Sequence, residues 1–188
     1  MSVGDGVYPA DLERDVPLRD GGTIHLRPIR PDDGRRLQAF HGRLSRDSIF
    51  FRFFSPLPIL TDERAAYFTT VDYDRRLAIV AVERDENGAE QIVGVVRYDR
   101  SDESSAEFAL IVEDRYQHHG IGSTLLVALV EAARARGLRT LAGDVLAENR
   151  RMIGLLRESG FPMKTRRSGN AIRVDLDLAP SDAAPPSC

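Results

Sequence analysis

The sequence is poor in residues that many sites and scaffolds depend on. Its 188 residues include one cysteine, Cys188, the last of the chain. A single thiol excludes an internal disulfide framework and any zinc or iron–sulfur centre that needs several cysteines. It suits a reducing compartment, so a cytoplasmic location is expected. Lysine is equally scarce: Lys164 is the one lysine among 26 basic residues. With 29 acidic residues and a net charge of −3, there is no basic excess to hold a phosphate backbone, and no nucleic-acid partner is expected. No apolar run approaches the ~18 residues that a membrane span needs. The first fifteen residues are polar and acidic, unlike a secretory signal. No metal is expected either, because the adjacent His118 and His119 carry side chains that diverge.

What is present reads as one globular domain. Apolar residues make up 42% and charged residues 29%, and a chain of this length buries enough surface to fold without staples. The arginine excess has two readings, genomic base composition or selection of forked donors at anion sites. Residues 1–22 are expected to form an N-terminal arm, 23–178 the domain, and 179–188 (APSDAAPPSC) a disordered tail.

Within the domain, strand and helix patterns alternate. Thr23–Ile29 reads as a strand, Pro31–Leu44 as a helix, Ser45–Phe54 as a second helix capped by Ser45, and Thr61 caps a third. Leu77–Val82, Gln91–Tyr98 and Ala106–Val112 are apolar runs joined by short polar turns, the pattern of an antiparallel meander. Gly120–Arg136 has helical apolar spacing and ends at Gly137. Leu138–Leu146 reads as a strand, Asn149–Ser159 as a helix and Ala171–Leu178 as a last strand. The fold class is α+β. Phe50, Phe51, Phe53 and Phe54 sit at helical spacing and are expected to be mostly core, with some of them free to line a groove.

The most specific local feature is Gln117-His118-His119-Gly120-Ile121-Gly122-Ser123, set between a strand and a helix. A helix start offers unpaired N–H groups and the positive end of its dipole, and glycines let the backbone approach a bulky anion. A Rossmann fingerprint would need a small residue at 125, where leucine stands, and a P-loop would need a Gly-Lys pair. A pyrophosphate cradle and a simple flexible turn both remain open from spacing alone.

Gln117-x-x-Gly120-x-Gly122, after a strand and opening a helix, resembles the Q/R-x-x-G-x-G/A signature of the GNAT superfamily of N-acetyltransferases. LRDGGTIHLRPIRPDD (18–33), SIFFRFFSP (48–56) and ENRRMIGLLRESGF (148–161) resemble the catalytic domain of bacterial protein lysine acetyltransferases. The resemblance implies a GNAT fold, with a mainly antiparallel central sheet and helices on both faces. It implies acetyl-CoA as cosubstrate and direct transfer of acetyl to a protein lysine amine, an acyl-CoA synthetase being a candidate acceptor. A small-molecule amine acceptor, or a weakly catalytic acyl-CoA-binding sensory module, are the alternatives. Such relatives often carry a fused regulatory domain, for which no stretch of useful length is seen here.

The same resemblance assigns residues. Gln117, His118, His119, Gly120, Ile121, Gly122, Ser123 and Thr124 would surround the pyrophosphate. Backbone groups of Leu110, Ile111 and Val112 would pair with the pantetheine amides, one of them serving the oxyanion. Asn149 and Met152 would lie beside the cofactor, although Asn149 is also a good helix cap. Glu107 would be the general base. Its neighbours Phe108 and Leu110 suggest partial burial, while its plain reading is a polar-facing strand position. Family members often place an acidic tyrosine where this chain has Leu156, so no tyrosine acid is expected. Arg115, Arg150 and Arg151 are weaker candidates for a phosphate, and Tyr116 is expected to be structural.

Overall fold

The computed structural model describes residues 6–18 and 21–179. Of the tail expected over 179–188 only Ala179 lies within them, and the first five residues lie outside. Strands β1 (Arg14–Pro17) and β2 (Thr23–Pro28) form a hairpin. A 3-10 turn over Pro31–Asp33 leads into α1 (Gly34–Arg43), followed by α2 (Arg46–Phe53) and α3 (Asp62–Thr69). Ser45 and Thr61 cap α2 and α3, each accepting from a backbone N–H in the first turn. The helix read from Pro31 therefore begins as a tighter turn, with Pro31 at its first position.

The meander follows as β3 (Arg76–Arg84), β4 (Glu90–Arg100) and β5 (Ser105–Val112). Each strand pairs antiparallel with the next. Then come α4 (Ile121–Ala135), β6 (Thr140–Leu146), α5 (Arg150–Glu158), β7 (Met163–Ser168) and β8 (Ala171–Asp177). The eight described strands form one sheet in the order β1-β2-β3-β4-β5-β6-β8-β7. β5 and β6 are the parallel pair in it, joined through the α4 crossover.

Two strands lack the alternation that marks a strand in sequence. β1 is a charged stretch within the expected arm, and β7 (MKTRRS) is an edge strand exposed along most of its length. Both form because a neighbour offers a free edge, not because of a local apolar pattern.

The core lies on both faces of the central strands. Leu125, Leu126, Leu129, Val130 and Ala133 of α4 are fully buried against one face. Gly94 of β4 permits this contact: a Cβ there would stand 2.9 Å from a Leu125 methyl. Leu37 and Phe40 of α1 are buried on the opposite side, with α3 packed alongside.

A charged network sits inside this apolar mass. Arg27 of β2 and Asp33 are both fully buried and form a bidentate pair at 2.7 and 2.8 Å. Glu90 takes the Arg27 Nε and Nη2 hydrogens at 3.0 and 2.8 Å, and the Pro28 carbonyl accepts at 3.1 Å. All five guanidinium N–H donors are thereby used. Burial by itself would raise the Asp33 carboxyl. Arg27, together with the Arg30 N–H and the charge of Arg36, outweighs it and holds the group below its usual range. The network ties the turn before α1 to β2 and to the start of β4.

Candidate active site

The β5–β6 pairing stops early. Ser105, Ala106 and Glu107 pair with Thr140, Leu141 and Ala142, and no pairing follows along the rest of β5. Both strands continue, so they splay apart. Hydrogen bonding alternates along an antiparallel strand. Glu113 N–H donates to the Val93 carbonyl across β4, while the Val112 carbonyl turns away to accept from Gln117 Nε2 at 3.0 Å. The backbone groups of Leu110 and Val112 therefore face the split, and those of Ile111 are turned into the β4 ladder. Of the three expected backbone partners, two remain available at this edge.

A groove of about 1380 Å³ fills the split. Its walls include Phe108–Val112 of β5, Gly143–Val145 of β6, the loop before α4 and the start of α5. Gly143 makes room for the neighbouring strand, since a Cβ there would stand 2.9 Å from the Phe108 ring.

The loop is shaped by backbone at positive φ, His118 at 72° and Gly120 at 89°. Gly120 is the N-cap of α4 and supplies no side-chain acceptor, so the first-turn N–H groups of a 15-residue helix stay open toward the groove. Gly122 is needed for a different reason. A Cβ on it would lie 2.6 Å from a Leu155 methyl of α5. Gln117 braces the loop, donating to Val112 and accepting from Arg151.

Among the expected residues, Glu107, Leu110, Ile111, Val112, Gln117, His118, Gly120, Gly122, Ser123, Asn149 and Met152 all line the groove. His119, Ile121 and Thr124 are not on its wall. Ile121 is fully buried in the core, and Thr124 N–H is spent on the Gly120 carbonyl at 3.0 Å. Asn149 is the N-cap of α5, its Oδ1 accepting from Met152 N–H at 3.1 Å. Leu156 is buried in the core. Tyr116 bonds to Glu83, and burial together with that bond pushes its hydroxyl up to about 12, which suits a brace and not a proton donor.

Glu107 departs from the expected partial burial. Its side chain is 48% exposed and lies on the face of β5 that opens to the groove. Arg173 of β8 grips both of its oxygens and also reaches Asp144 at 3.0 Å and Asp175 at 3.6 Å. Glu107 above all, and then Asp144, hold the Arg173 guanidinium above its ordinary range against the opposing effect of burial. The phenylalanine cluster also differs. Phe50 and Phe54 are exposed, Phe51 and Phe53 are half-buried, and Ile49 is the one buried residue of α2. Helical spacing cannot reveal that this helix turns Phe51 and Phe53 toward the groove instead of the sheet.

Asp114 fixes α2 to the site. It accepts from Ser45 N–H at 2.9 Å, Ser45 Oγ at 2.7 Å and Ser48 Oγ at 2.8 Å. Arg115 is occupied by Glu113 at 2.5 Å, whereas Arg150 and Arg151 line the groove. Sequence reading missed Arg173 and Asp144, which lie far from Glu107 in the chain and carry no local mark. No group of three or more His, Cys, Asp or Glu residues among the described ones is placed to hold a metal. No described helix is long and apolar enough to cross a membrane.

The family model for the acetyltransferase (GNAT) family matches residues 46–161. Acetyltransferase PA5475 of Pseudomonas aeruginosa is 32% identical over 145 residues, covering 77% of this chain and 77% of that protein. Acetyltransferase Pat of Mycolicibacterium smegmatis is 28% identical over 175 residues, 90% of this chain, which spans half of that protein's length. The crystal structure of the GNAT domain of S. lividans PAT superposes with a TM-score of 0.82 at 36% identity, covering 91% of this chain and 99% of that one.

Proposed function

The chain belongs to the acetyltransferase (GNAT) family, whose members take acetyl from acetyl-CoA, and from that premise we propose that it acetylates a protein lysine side chain, an acyl-CoA synthetase being the candidate acceptor. The observation that carries the reading is the splayed β5–β6 groove, with an open helix start at one end and Glu107 at the other. Its likeness to the Pat proteins supports a protein acceptor.

In this reading the pyrophosphate lies against the loop from Gln117 to Ser123, contacted through the first-turn N–H groups of α4. The pantetheine amides pair with Leu110 and Val112 as an added strand would. Asn149 and Met152 flank it. The acceptor ammonium, with an ordinary pKa of about 10.4, must lose a proton before its nitrogen can attack the thioester carbonyl. Glu107 takes that proton, directly or through a water, and Arg173 fixes the orientation of the accepting carboxylate. The N–C bond forms, a free N–H of the strand edge holds the oxyanion, and the C–S bond breaks. The nitrogen sheds its second proton to solvent as the amide forms, and the sulfur leaves as a thiolate that takes up a proton from water. With Leu156 buried, no side-chain acid is assigned to it.

The test is incubation of the chain with acetyl-CoA and purified acyl-CoA synthetases, followed by mass-spectrometric site mapping. Acetylated lysine that requires both enzyme and acetyl-CoA is expected. Tight acetyl-CoA binding with no acetylated lysine, on synthetases or on whole-cell protein, would overturn the protein-acceptor reading. The loop has its own prediction. Gly122→Val would force a branched side chain into the Leu155 contact. Overpacking of this kind costs about 1–3 kcal/mol, so acetyl-CoA affinity, read by calorimetry, should fall roughly tenfold or more.

A further inference from the structure

Two arginines in the groove wall carry charge that the protein balances only weakly, with the shared Asp99 as its counter-charge. Arg97 of β4 is 5% exposed, yet its buried Nε has no hydrogen-bond partner. Its Nη2 makes one long contact to the Phe68 carbonyl at 3.4 Å, and the nearest carboxylate, Asp99, is 3.7 Å away. Asp99 is already engaged by Arg76 at 2.8 Å. Arg52 of α2 lies 4.9 Å over the Phe53 ring and makes no hydrogen bond or ion pair among the described residues. Both arginines line the groove. Burial pulls Arg97 down to about 10, with Asp99 opposing and Arg52 reinforcing the shift, so it still carries its charge at neutral pH.

Their position relative to Glu107 gives this charge a use. Arg97 pairs across the ladder with Ala109, and Asp99 pairs with Glu107. Arg97 is thus the diagonal neighbour of Glu107, roughly 7–8 Å away between Cα atoms, on the same face of the sheet. The wall therefore presents carboxylates (Glu107, Asp144) beside two forked donors, Arg52 without an ion pair among the described residues and Arg97 with one long pair to Asp99. A dianionic phosphate would meet Glu107 and Asp99 at close range. A singly charged carboxylate on the same molecule as a cationic amine matches both halves.

We propose that Arg52 and Arg97 form a carboxylate subsite at the acceptor end of the groove, holding an anionic group of the acceptor while its amine faces Glu107. This rests on the acetyl-transfer reading of the groove. The carboxylate has two possible sources: the main-chain carboxylate of a free amino acid, or an Asp or Glu side chain close to the acceptor lysine.

The experiment has a kinetic and a binding part, both on the full chain. The kinetic part compares KM for L-methionine against L-methionine amide, and for a lysine peptide flanked by Glu against its Gln counterpart. At least one pair should favour the acid by tenfold or more, and the pair that does so identifies the source. Arg52→Gln should collapse that ratio toward one, and Arg52→Lys should restore part of it. Arg52 is the residue to change because Arg97 is buried enough that its loss threatens folding. Turnover on every probe with no acid preference in either pair, or a preference that survives Arg52→Gln, overturns the subsite. The binding part titrates N-acetyl-L-methionine and its amide into the chain with CoA present. If no probe turns over, the acetyl-transfer reading fails for these acceptors, and this titration still decides. Acid-selective binding lost in Arg52→Gln supports the subsite, and equal or absent binding of acid and amide overturns it.

Discussion

Replacing Glu107 with glutamine should lower kcat for acetyl transfer by about 10²–10⁴-fold, the span expected when a positioned general base is removed. KM for acetyl-CoA should change little, because glutamine keeps the side-chain length and the loop that holds the pyrophosphate is untouched. The measurement is release of free CoA thiol at saturating substrates. A rate within threefold of the parent would remove Glu107 from the base role. The substitution is clean structurally. Glu107 is half-exposed, and Arg173 keeps Asp144 and Asp175 when Glu107 loses its charge. An exposed ion pair contributes about 0–1 kcal/mol, so a lost rate cannot be charged to lost folding. A melt of the variant close to the parent's checks this directly.

The second large effect is on stability. Arg27→Met should cost about 3–5 kcal/mol, because the fully buried Asp33 would lose its bidentate partner and keep only the half-exposed Arg36 as counter-ion. That is a large share of the roughly 5–15 kcal/mol that holds a domain together. Urea unfolding should show the loss as a shifted midpoint with the same slope. The double variant Arg27→Met with Asp33→Leu should recover much of it, since the fully buried charges are replaced by an apolar pair and Glu90 keeps Arg84 at 3.2 Å. A single variant as stable as the parent would show that the network adds nothing.

The same network sets the acid limit. The buried environment of Asp33 and Glu90 would raise both carboxyls, but their bonds to Arg27 reverse this and leave both below the ordinary range. Folding therefore favours their ionised forms. That stability is complete at neutral pH, begins to fade as pH drops into the usual carboxylate range, and is gone once pH falls through the folded values. Arg27 stays charged throughout this window. In Arg27→Met the acid-side slope of stability against pH should flatten, readable from urea midpoints at a series of pH values.

The parts of this molecule legible in its sequence share one trait: their signal is local. The meander shows in apolar runs and short turns, α4 in its 3.6-residue period, and the anion loop in two glycines at a strand-to-helix junction. β1 and β7 were not legible because their partners, not their own residues, decide their state. Arg97 alternates as any outward-facing strand residue would, and only the packing of α2 and α3 over that face reveals its burial. Arg173 meets Glu107 across 66 positions of chain, a juxtaposition that no spacing rule encodes. The phenylalanines of α2 show the converse. Their spacing marks a helix, but Ile49 takes the core and Phe51, Phe53 and Phe54 line a cavity instead.

The splayed pair β5 and β6 has a consequence for how the chain survives in solution. An unpaired strand edge invites another polypeptide to add to it, and proteins usually blunt such edges with charge. β7, the edge strand beyond β8, does so with Lys164, Arg166 and Arg167, all exposed. The edge that β5 leaves at the split carries no such guard; its residues Leu110 and Val112 are apolar and buried. It is protected by position, with strands on both sides and α4 across one face, so a foreign strand cannot reach it broadside. The fold thereby keeps a sticky edge ready for a narrow ligand without exposing it to aggregation.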